Sequence, residues 1–357
     1  MSRIAQLQSH LHKTNEYDAL LVSAMTNIRY LCNFKGTSSL LLVLKTSSYL
    51  AVDPRYHERA QTETRDCQIF PVPPQTPILL AILRLAADLG LHTLAFEARH
   101  TTVATAEEML ASATPFGLAL IPTTNIIEQQ RLVKDSEELA ILERASLLTD
   151  QAMQHAINHL RPNITEQDLA WEIESFIRTH GGEGVSFPPI VAFSENSARP
   201  HHTPTAQQLK DQEAILLDIG AIVDGYCGDL TRTYWLGTPP SQFRQYHHAV
   251  LETLSTLEQE IHSGITGAQI DARAHDLLGQ YGLEQFLTHP VGHAIGLEVH
   301  EQPYLSRHNQ LPIVSGTVIT LEPAVYLPHW GGIRIEDTVV VTENSLRVLN
   351  HAPRSLF

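Results

Sequence analysis

The chain has 357 residues, which is enough for two domains and a large core. Its formal net charge of −15, from 39 acidic and 24 basic residues, argues against a nucleic-acid partner and gives no reason to expect an anionic membrane surface as one. Three widely spaced cysteines form no disulfide framework: Cys32, Cys67 and Cys227. Because the sequence has no signal-peptide segment and no stretch of membrane-spanning length, we expect a soluble cytoplasmic protein.

Helix-like and strand-like segments alternate over the first 125 residues or so. They are a helical stripe at Ile4, Leu7 and Leu11, strands at 19–22, 40–44, 49–52 and 94–96, and a helix over 77–89. This order predicts an α/β domain. The segment contains no glycine-rich phosphate loop, and nothing in it points to chemistry. We place the domain boundary after residue 128.

Residues 129–357 present helices, strands, helices and strands in turn. The pattern predicts a helix capped by Ser136, a second helix from Thr165 to Thr179, helices over 241–262 and 267–281, and a strand-rich region over 288–348. We interpret this order as two copies of a helix-plus-hairpin unit within one α+β domain.

Two aspartates mark residues 214–235. Asp218 interrupts an apolar run, and Asp229 lies beyond three glycines. The pattern predicts two short strands and a tight connection that folds Asp229 beside Asp218. Adjacent carboxylates repel unless one is protonated or a cation lies between them, and strand alternation places Arg232 on the opposite face. A bound metal ion, or one exposed and one turn aspartate, would each fit this stretch alone.

Three later segments carry further polar residues in apolar, strand-like runs. They are THPVGHAIGLEVHE with His289, His293 and His300, VITLEPAVY with Glu322, and GGIRIED with Arg334 and Glu336. Taken singly, each fits a strand terminus, a turn histidine or an exposed charge pair. A carboxylate in a buried strand is rare unless it is paired. Four such carboxylates and one imidazole in a single domain favour a metal site.

The motifs DIG…GDLTRT, GHxIGLxVHE, EPxxY and RIED, in this order, resemble the pita-bread metallopeptidases. The chain is most similar to the Xaa-Pro dipeptidases (prolidases) and aminopeptidases P. Residues 27–34 and 52–60 resemble the noncatalytic N-terminal domain of that group, and residues 131–138 its interdomain junction. The resemblance implies an α/β N-terminal domain over 1–128, a pita-bread catalytic domain over 129–357 with a duplicated helix-plus-antiparallel-sheet unit, and a homodimer.

The resemblance also implies two divalent metal ions per subunit. Their ligands would be Asp218, Asp229, His293, Glu322 and Glu336. An oxygen-rich set suits manganese, with cobalt or zinc able to substitute. A metal pair lowers the pKa of a bound water and polarises the scissile carbonyl, and Glu322 is the candidate general base.

By the same resemblance, other polar residues serve the substrate. His201 and His300 would contact the substrate carbonyl and the tetrahedral intermediate, and His289 would hold the proline side. Arg334 would pair with site carboxylates and orient them. Adjacent His202 could exchange roles with His201, and the sequence leaves this open.

Two positions depart from the family pattern. Ala324 replaces the usual glycine of EPG, which is tolerable if its φ is negative. Tyr304 stands where some prolidases carry an arginine suited to a dipeptide carboxylate. We expect Xaa-Pro dipeptides as substrates, with Tyr304 and His202 contacting the carboxylate. Release of the N-terminal residue from longer Xaa-Pro-Yaa peptides is the alternative.

Other classes on the same fold fit the sequence less well. A metal-free hydrolase of the creatinase type, or a noncatalytic binding module, predicts lost ligands, yet all five are present. A methionine aminopeptidase would need neither the leading domain nor the junction motif.

Overall fold

The computed structural model describes residues 1–355, which form two compact units. The first is Met1–Arg131, and the second begins at Leu132. The sequence placed its boundary three residues earlier, after residue 128. Within residues 1–355, no helix has both the length and the apolar character that crossing a bilayer requires.

The first unit is a mixed sheet with six helices. Its elements are α1 (Arg3–Thr14), β1 (Ala19–Val22), α2 (Met25–Cys32), β2 (Ser39–Leu44), β3 (Ser48–Val52), α3 (His57–Glu63), β4 (Gln68–Pro71), α4 (Ile78–Asp88), β5 (Thr93–Glu97), α5 (Val103–Ala113), β6 (Ala119–Thr123) and α6 (Ile126–Arg131). The sheet order is β4-β3-β2-β1-β5-β6. Strand β2 runs antiparallel to β1 and β3, and the other neighbours are parallel.

The predicted elements of this unit are confirmed. Helix α1 begins after Ser2, whose hydroxyl accepts a hydrogen bond from the Ala5 N–H at 3.3 Å, and it buries the predicted stripe of Ile4, Leu7 and Leu11. The strands at 40–44 and 49–52 form the hairpin β2–β3.

The second unit alternates helix pairs with sheets. Its elements are α7 (Ser136–His159), α8 (Glu166–Thr179), β7 (Gly184–Val185), β8 (Ile190–Phe193), β9 (Ala214–Ile219), β10 (Ala221–Val223), β11 (Tyr226–Cys227), β12 (Leu230–Trp235), α9 (Ser241–Glu260), α10 (Gly267–Gly279), β13 (His293–Ala294), β14 (Glu301–Tyr304), β15 (Val318–Leu321), β16 (Ala324–Leu327), β17 (Gly331–Arg334), β18 (Asp337–Val341) and β19 (Leu346–Val348).

Each helix pair packs on a sheet of its own. Helices α7 and α8 share an apolar core with β8, β9 and β12, and α9 and α10 share one with β13, β15 and β18. The sheet orders are β12-β9-β8 and β14-β13-β15-β18-β19, with β16–β17 as a separate hairpin. Both sheets are antiparallel, as the duplicated helix-plus-sheet prediction requires.

The predicted cap of α7 is wrong by one residue. Asp135, not Ser136, caps the helix: its carboxylate accepts from the Glu138 N–H at 2.8 Å, and the Glu138 carboxylate accepts from the Asp135 N–H at 3.0 Å. This reciprocal capping box satisfies two N–H groups that the first helical turn leaves free. Thr165 caps α8 as predicted.

The tight connection predicted between the two aspartate strands is a further hairpin. Strands β10 and β11 pair with each other, and β10 also pairs with β7. Gly220 connects β9 to this hairpin, and Gly228 lies where the chain returns from the hairpin toward β12. A Cβ on Gly220 would lie 2.1 Å from the Gly228 carbonyl oxygen, so the two strand ends approach too closely for a side chain.

Candidate active site

A cavity of about 330 Å³ in the second unit gathers every residue that the sequence singled out. That volume falls in the range of small-ligand pockets. An apolar wall is formed by Phe187, Pro188, Ile190 and Val299. The polar lining comprises Asp218, Asp229, Glu322, Glu336, His201, His202, His289, His293, His300, Tyr304 and Arg334.

Strand pairing in the first half of the unit brings Asp218 and Asp229 together. In the β9–β12 pair, Asp218 lies opposite Thr231, and Asp229 immediately precedes β12. Arg232 turns away from Asp229, as strand alternation predicted, and its guanidinium donates to buried Asp337 at 2.8 Å. The nearest arginine on this strand therefore does not neutralise the aspartates.

Strand pairing in the second half delivers the two glutamates in the same way. In the β15–β18 pair, Leu321 lies opposite Asp337, so the next residues outward are Glu322 and Glu336. The Glu336 N–H donates to the Thr231 carbonyl at 3.0 Å, which joins this strand end to β12. Four carboxylates thus converge from neighbouring strand ends.

His293 completes the cluster from strand β13. Its Nε2 lies 3.7 Å from Asp229 Oδ2 and 3.6 Å from Glu322 Oε1. One ligand atom each from Asp229, His293 and Glu336 lie within 4.8 Å of one another, and all three residues are buried. Burial, with a smaller contribution from nearby His300, lowers the pKa of His293 to about 4, so the ring is in its neutral, metal-binding form at pH 7.

Electrostatic repulsion in the cluster is strong. Burial raises the pKa of Asp229 well above its ordinary value, and the charges of Glu336 and Asp218 raise it further. Burial, followed by the charge of Glu322, also raises the pKa of Glu336 well above its ordinary value. Burial raises the pKa of Glu322 to about 8, although Arg334 opposes this shift. The carboxylates therefore lack enough positive charge from the protein itself.

Arg334 is the cation that the protein does supply. Its guanidinium donates to Asp218 Oδ2 and to the Tyr326 hydroxyl, and the Tyr326 hydroxyl also lies 2.9 Å from His289 Nε2. The other oxygen of Asp218, Oδ1, is buried and has no hydrogen-bond partner within residues 1–355. A buried carboxylate oxygen that has no partner and lies among other acids is suited to a cation.

Thr231 links two of the charged groups. Its hydroxyl donates to Glu336 Oε2 at 2.6 Å and accepts from Arg334 Nε at 3.0 Å. Thr231 itself is fully buried. Both partners are held through one hydroxyl, which orients the carboxylate toward the cluster.

The two adjacent histidines differ in their surroundings. His202 is buried, and its Nε2 lies 2.9 Å from Glu166, which is itself fully buried. Burial alone would raise the pKa of Glu166, but hydrogen bonds from Thr205, Asn196 and His202 outweigh it and lower that pKa. His201 is exposed at the cavity. His202 thus has one ring nitrogen bound to the protein, and His201 projects to the solvent side.

His300 and Tyr304 flank the metal-ligand candidate His293. The His293 and His300 rings meet edge to face with centroids 4.4 Å apart, and Tyr304 lies opposite His293 in the β13–β14 pair. Burial and the nearby His201 lower the pKa of His300. Ala324 is the first residue of strand β16, so the missing glycine of the EPG pattern is not needed there.

The donor set fits divalent cations. Four carboxylates and one neutral imidazole supply hard oxygen ligands and one nitrogen ligand. Burial and mutual repulsion raise the carboxylate pKa values, and a cation beside the unpartnered Asp218 oxygen would oppose both effects. The five predicted ligands are therefore brought together by the fold, while the binding role of each stays a prediction.

Three residues around the cavity were missed by the sequence reasoning: Thr231, Tyr326 and Glu166. The sequence does contain a feature that marks each of them. Thr231 faces the same side of its strand as Asp229, Tyr326 ends the EPxxY motif, and Glu166 follows the helix cap Thr165. None of these signals specifies which distant group the side chain contacts.

Two family models match the chain. The description "Metallopeptidase family M24" covers residues 140–343, and "Creatinase/Prolidase N-terminal domain" covers residues 3–133. The chain is 32% identical over 339 residues to the uncharacterized peptidase YqhT of Bacillus subtilis, with 95% of each chain covered. It is 33% identical over 232 residues to an Xaa-Pro dipeptidase of Pyrococcus furiosus, covering 65% of this chain and 67% of that one.

Solved structures resemble the whole chain. An Xaa-Pro dipeptidase from Bacillus anthracis superposes with a TM-score of 0.94 at 31% identity, covering 99% of this chain and 98% of that one. An X-Pro aminopeptidase from Thermotoga maritima superposes with a TM-score of 0.91 at 30% identity, covering 98% and 99%. The predicted fold class, an α/β N-terminal domain followed by a pita-bread domain, is confirmed.

The hydroxyl of Thr231 is expected to control metal affinity. Thr231→Val keeps the side-chain shape but removes the bonds to Glu336 and Arg334, and loss of such a supporting contact typically weakens metal binding about 10–100-fold. Thr231→Ser keeps the hydroxyl and is the matched control. Metal titration followed by calorimetry should show weaker binding for the valine variant only. Equal affinities in all three proteins would contradict the orienting role.

Proposed function

We propose, since the chain belongs to metallopeptidase family M24, that it hydrolyses the bond between an N-terminal residue and proline in Xaa-Pro dipeptides. The observation that carries this proposal is the convergence of four carboxylates and His293 at one cavity that also has an apolar wall. The names of similar proteins, Xaa-Pro dipeptidase among them, support the substrate class.

Two divalent ions would be held by Asp218, Asp229, His293, Glu322 and Glu336. Manganese is the proposed metal because the donors are mainly oxygen, with cobalt or zinc as substitutes. When bound, such an ion pair polarises a carbonyl and lowers the pKa of water.

Glu322 is the proposed general base. Its side chain remains 17% accessible in the cavity, and its Oε2 lies 3.8 Å from His289 Nδ1. A carboxylate in that position can take a proton from the attacking water and pass it to the departing proline nitrogen. Glu322 directly follows β15, and its N–H donates to the Val291 carbonyl at 2.9 Å, so its backbone is held in place.

The cavity histidines are proposed to act on the substrate. His201 and His300 are exposed at the cavity, and each can donate a hydrogen bond to the carbonyl oxygen as it gains negative charge. His289 is held by Tyr326 and would border the proline ring. Arg334 fixes Asp218 and so positions the carboxylates rather than the substrate.

The length of the substrate depends on what contacts the group after proline. Tyr304 lines the cavity opposite His293 and can donate a hydrogen bond to a free carboxylate. His202 is the second proposed contact, although one of its ring nitrogens is engaged by Glu166. The resemblance to an X-Pro aminopeptidase keeps longer peptides as the alternative substrate.

We further propose a cytoplasmic homodimer. The dimer rests on the family resemblance, and the compartment on the three cysteines, which are all free thiols. The partners expected are proline-containing peptides, with no role for nucleic acid or membrane.

Removal of metal should abolish activity. Without cations, the clustered carboxylates lose both their charge compensation and the chemistry of the site. After dialysis against a chelator, turnover of Ala-Pro should vanish and return best with manganese or cobalt, and elemental analysis should find two ions per subunit. Full turnover by protein shown to contain no metal would support the metal-free creatinase-type alternative instead.

Glu322→Gln should lower kcat by at least about 10²–10⁴-fold, because it removes the proposed base as well as a ligand.

His201→Ala should also slow turnover but leave the metal content unchanged, since His201 is not in the ligand set. Single-substrate kinetics and elemental analysis measure both effects. Loss of metal from the His201 variant would show that its assigned role is wrong.

Tyr304→Phe should raise KM for Ala-Pro about tenfold or more, because a hydrogen bond to a charged group contributes about 1.5–3 kcal/mol. KM for the amidated dipeptide, which lacks the carboxylate, should scarcely change and is the control. Comparison of kcat/KM for Ala-Pro and Ala-Pro-Ala decides between the two substrate classes. A clear preference for the tripeptide would assign the protein to the aminopeptidase P class.

A further inference from the structure

A second group of metal-ligating side chains lies outside the cavity, on helices α7 and α8. It consists of His155 and His159 from α7 and Glu172 from α8. One ligand atom from each lies within 4.8 Å of the others, and all three residues are partly buried. None of them takes part in the proposed hydrolysis.

The two histidines share one face of α7 because they are four residues apart. The His159 Nδ1 lies 2.8 Å from the His155 carbonyl oxygen, which leaves Nε2 as the outward ligand atom. Metal-binding histidines commonly use their second nitrogen in this way. The two ring centroids are 4.1 Å apart.

The His155 ring is held by packing. It stacks on the Phe176 ring of α8 with centroids 4.5 Å apart, and Phe176 also stacks on the His180 ring at 3.8 Å. Partial burial, with His159 and His180 adding to it, lowers the pKa of His155 although Glu172 opposes the shift. A lowered pKa favours the neutral, metal-binding form of the ring, and the stacking on Phe176 limits how far the ring can turn.

Glu172 faces His155 across the helix pair without a direct hydrogen bond. Its Oε2 lies 3.6 Å from His155 Nε2, which exceeds ordinary hydrogen-bond length. Ligand atoms that sit about 2.0–2.2 Å from zinc are at most about 4.4 Å apart. Small side-chain rotations would therefore bring all three donors to one ion.

We propose that His155, His159 and Glu172 bind one divalent transition-metal ion that joins α7 to α8. Two imidazoles and one carboxylate favour zinc, copper or nickel, whereas the carboxylate-rich cavity favours harder ions. Solvent completes the coordination, because Glu172 is about half exposed.

The ion would connect two helices that anchor segments of the cavity. On α7, the Thr149 hydroxyl accepts from the Ala221 N–H at 3.0 Å, and on α8, Glu166 holds His202. A ligand that binds only the folded state stabilises it. The expected effect is a higher Tm rather than a change in the reaction, and the proposal does not depend on the substrate.

The test uses full-length protein saturated with Mn²⁺, to which Zn²⁺ or Cu²⁺ is added. The variant is His155→Gln with His159→Gln. The matched control is His248→Gln with His275→Gln, which also removes two partly or fully exposed histidines. Each of these histidines has one carboxylate four residues away on its own helix: His248 Nε2 lies 3.6 Å from Glu252, and His275 Nε2 lies 3.9 Å from Asp271.

Wild type and control should each bind one more Zn²⁺ per chain than the variant does, and their gain in Tm on adding Zn²⁺ should exceed that of the variant. Pulsed EPR of the Cu²⁺ form should show a two-imidazole signal that the variant lacks. Equal metal uptake by variant and control would overturn the proposal. Any bound metal would then reflect adventitious binding to surface histidines. Mn²⁺-supported hydrolysis reports that the variant is folded. If it is not, Glu172→Gln provides the same comparison at an exposed side chain.

Discussion

The main physical constraint on the second unit is the repulsion among four acids that its strands bring close together. Asp218, Asp229, Glu322 and Glu336 lie at neighbouring strand ends, where burial weakens solvent screening of their charges. Arg334 is a single guanidinium and cannot balance four carboxylates. Divalent cations would relieve this repulsion, and the strand pairing determines where the four acids lie.

Groups behind the acids keep them in place. Thr231 holds Glu336 and Arg334 through one hydroxyl, and the next residue along β12, Arg232, points the other way and pairs with Asp337. Buried ion pairs add little net stability because desolvation offsets their attraction. We therefore interpret the Arg232–Asp337 pair as an orienting device: it fixes the strand position directly beside Glu336.

Local pattern predicted what depends on strand and helix periodicity. Strand alternation correctly predicted that Arg232 faces away from Asp229. The glycine-rich turn correctly predicted that Asp229 folds back toward Asp218. The pattern failed where distant contacts decide the outcome. The difference between His201 and His202 is set by Glu166, which lies 36 positions before His202, and the link from Tyr326 to His289 spans 37. The α7 cap was missed because Asp135 and Ser136 are both good capping residues, and only the reciprocal bond with Glu138 separates them.

Donor chemistry, more than affinity, distinguishes the two cation sites that we propose. Zinc and copper bind most donor sets more tightly than manganese does, so affinity alone would not keep manganese in the cavity. The cavity offers four carboxylates around one imidazole, and the two proposed divalent ions would balance its negative charge. The α7–α8 cluster offers two imidazoles and a single carboxylate, so it has no comparable repulsion among acids. An imidazole-rich site on the surface thus favours a softer ion, whereas the oxygen donors of the acid cluster favour hard ions, and any divalent ion would relieve its repulsion.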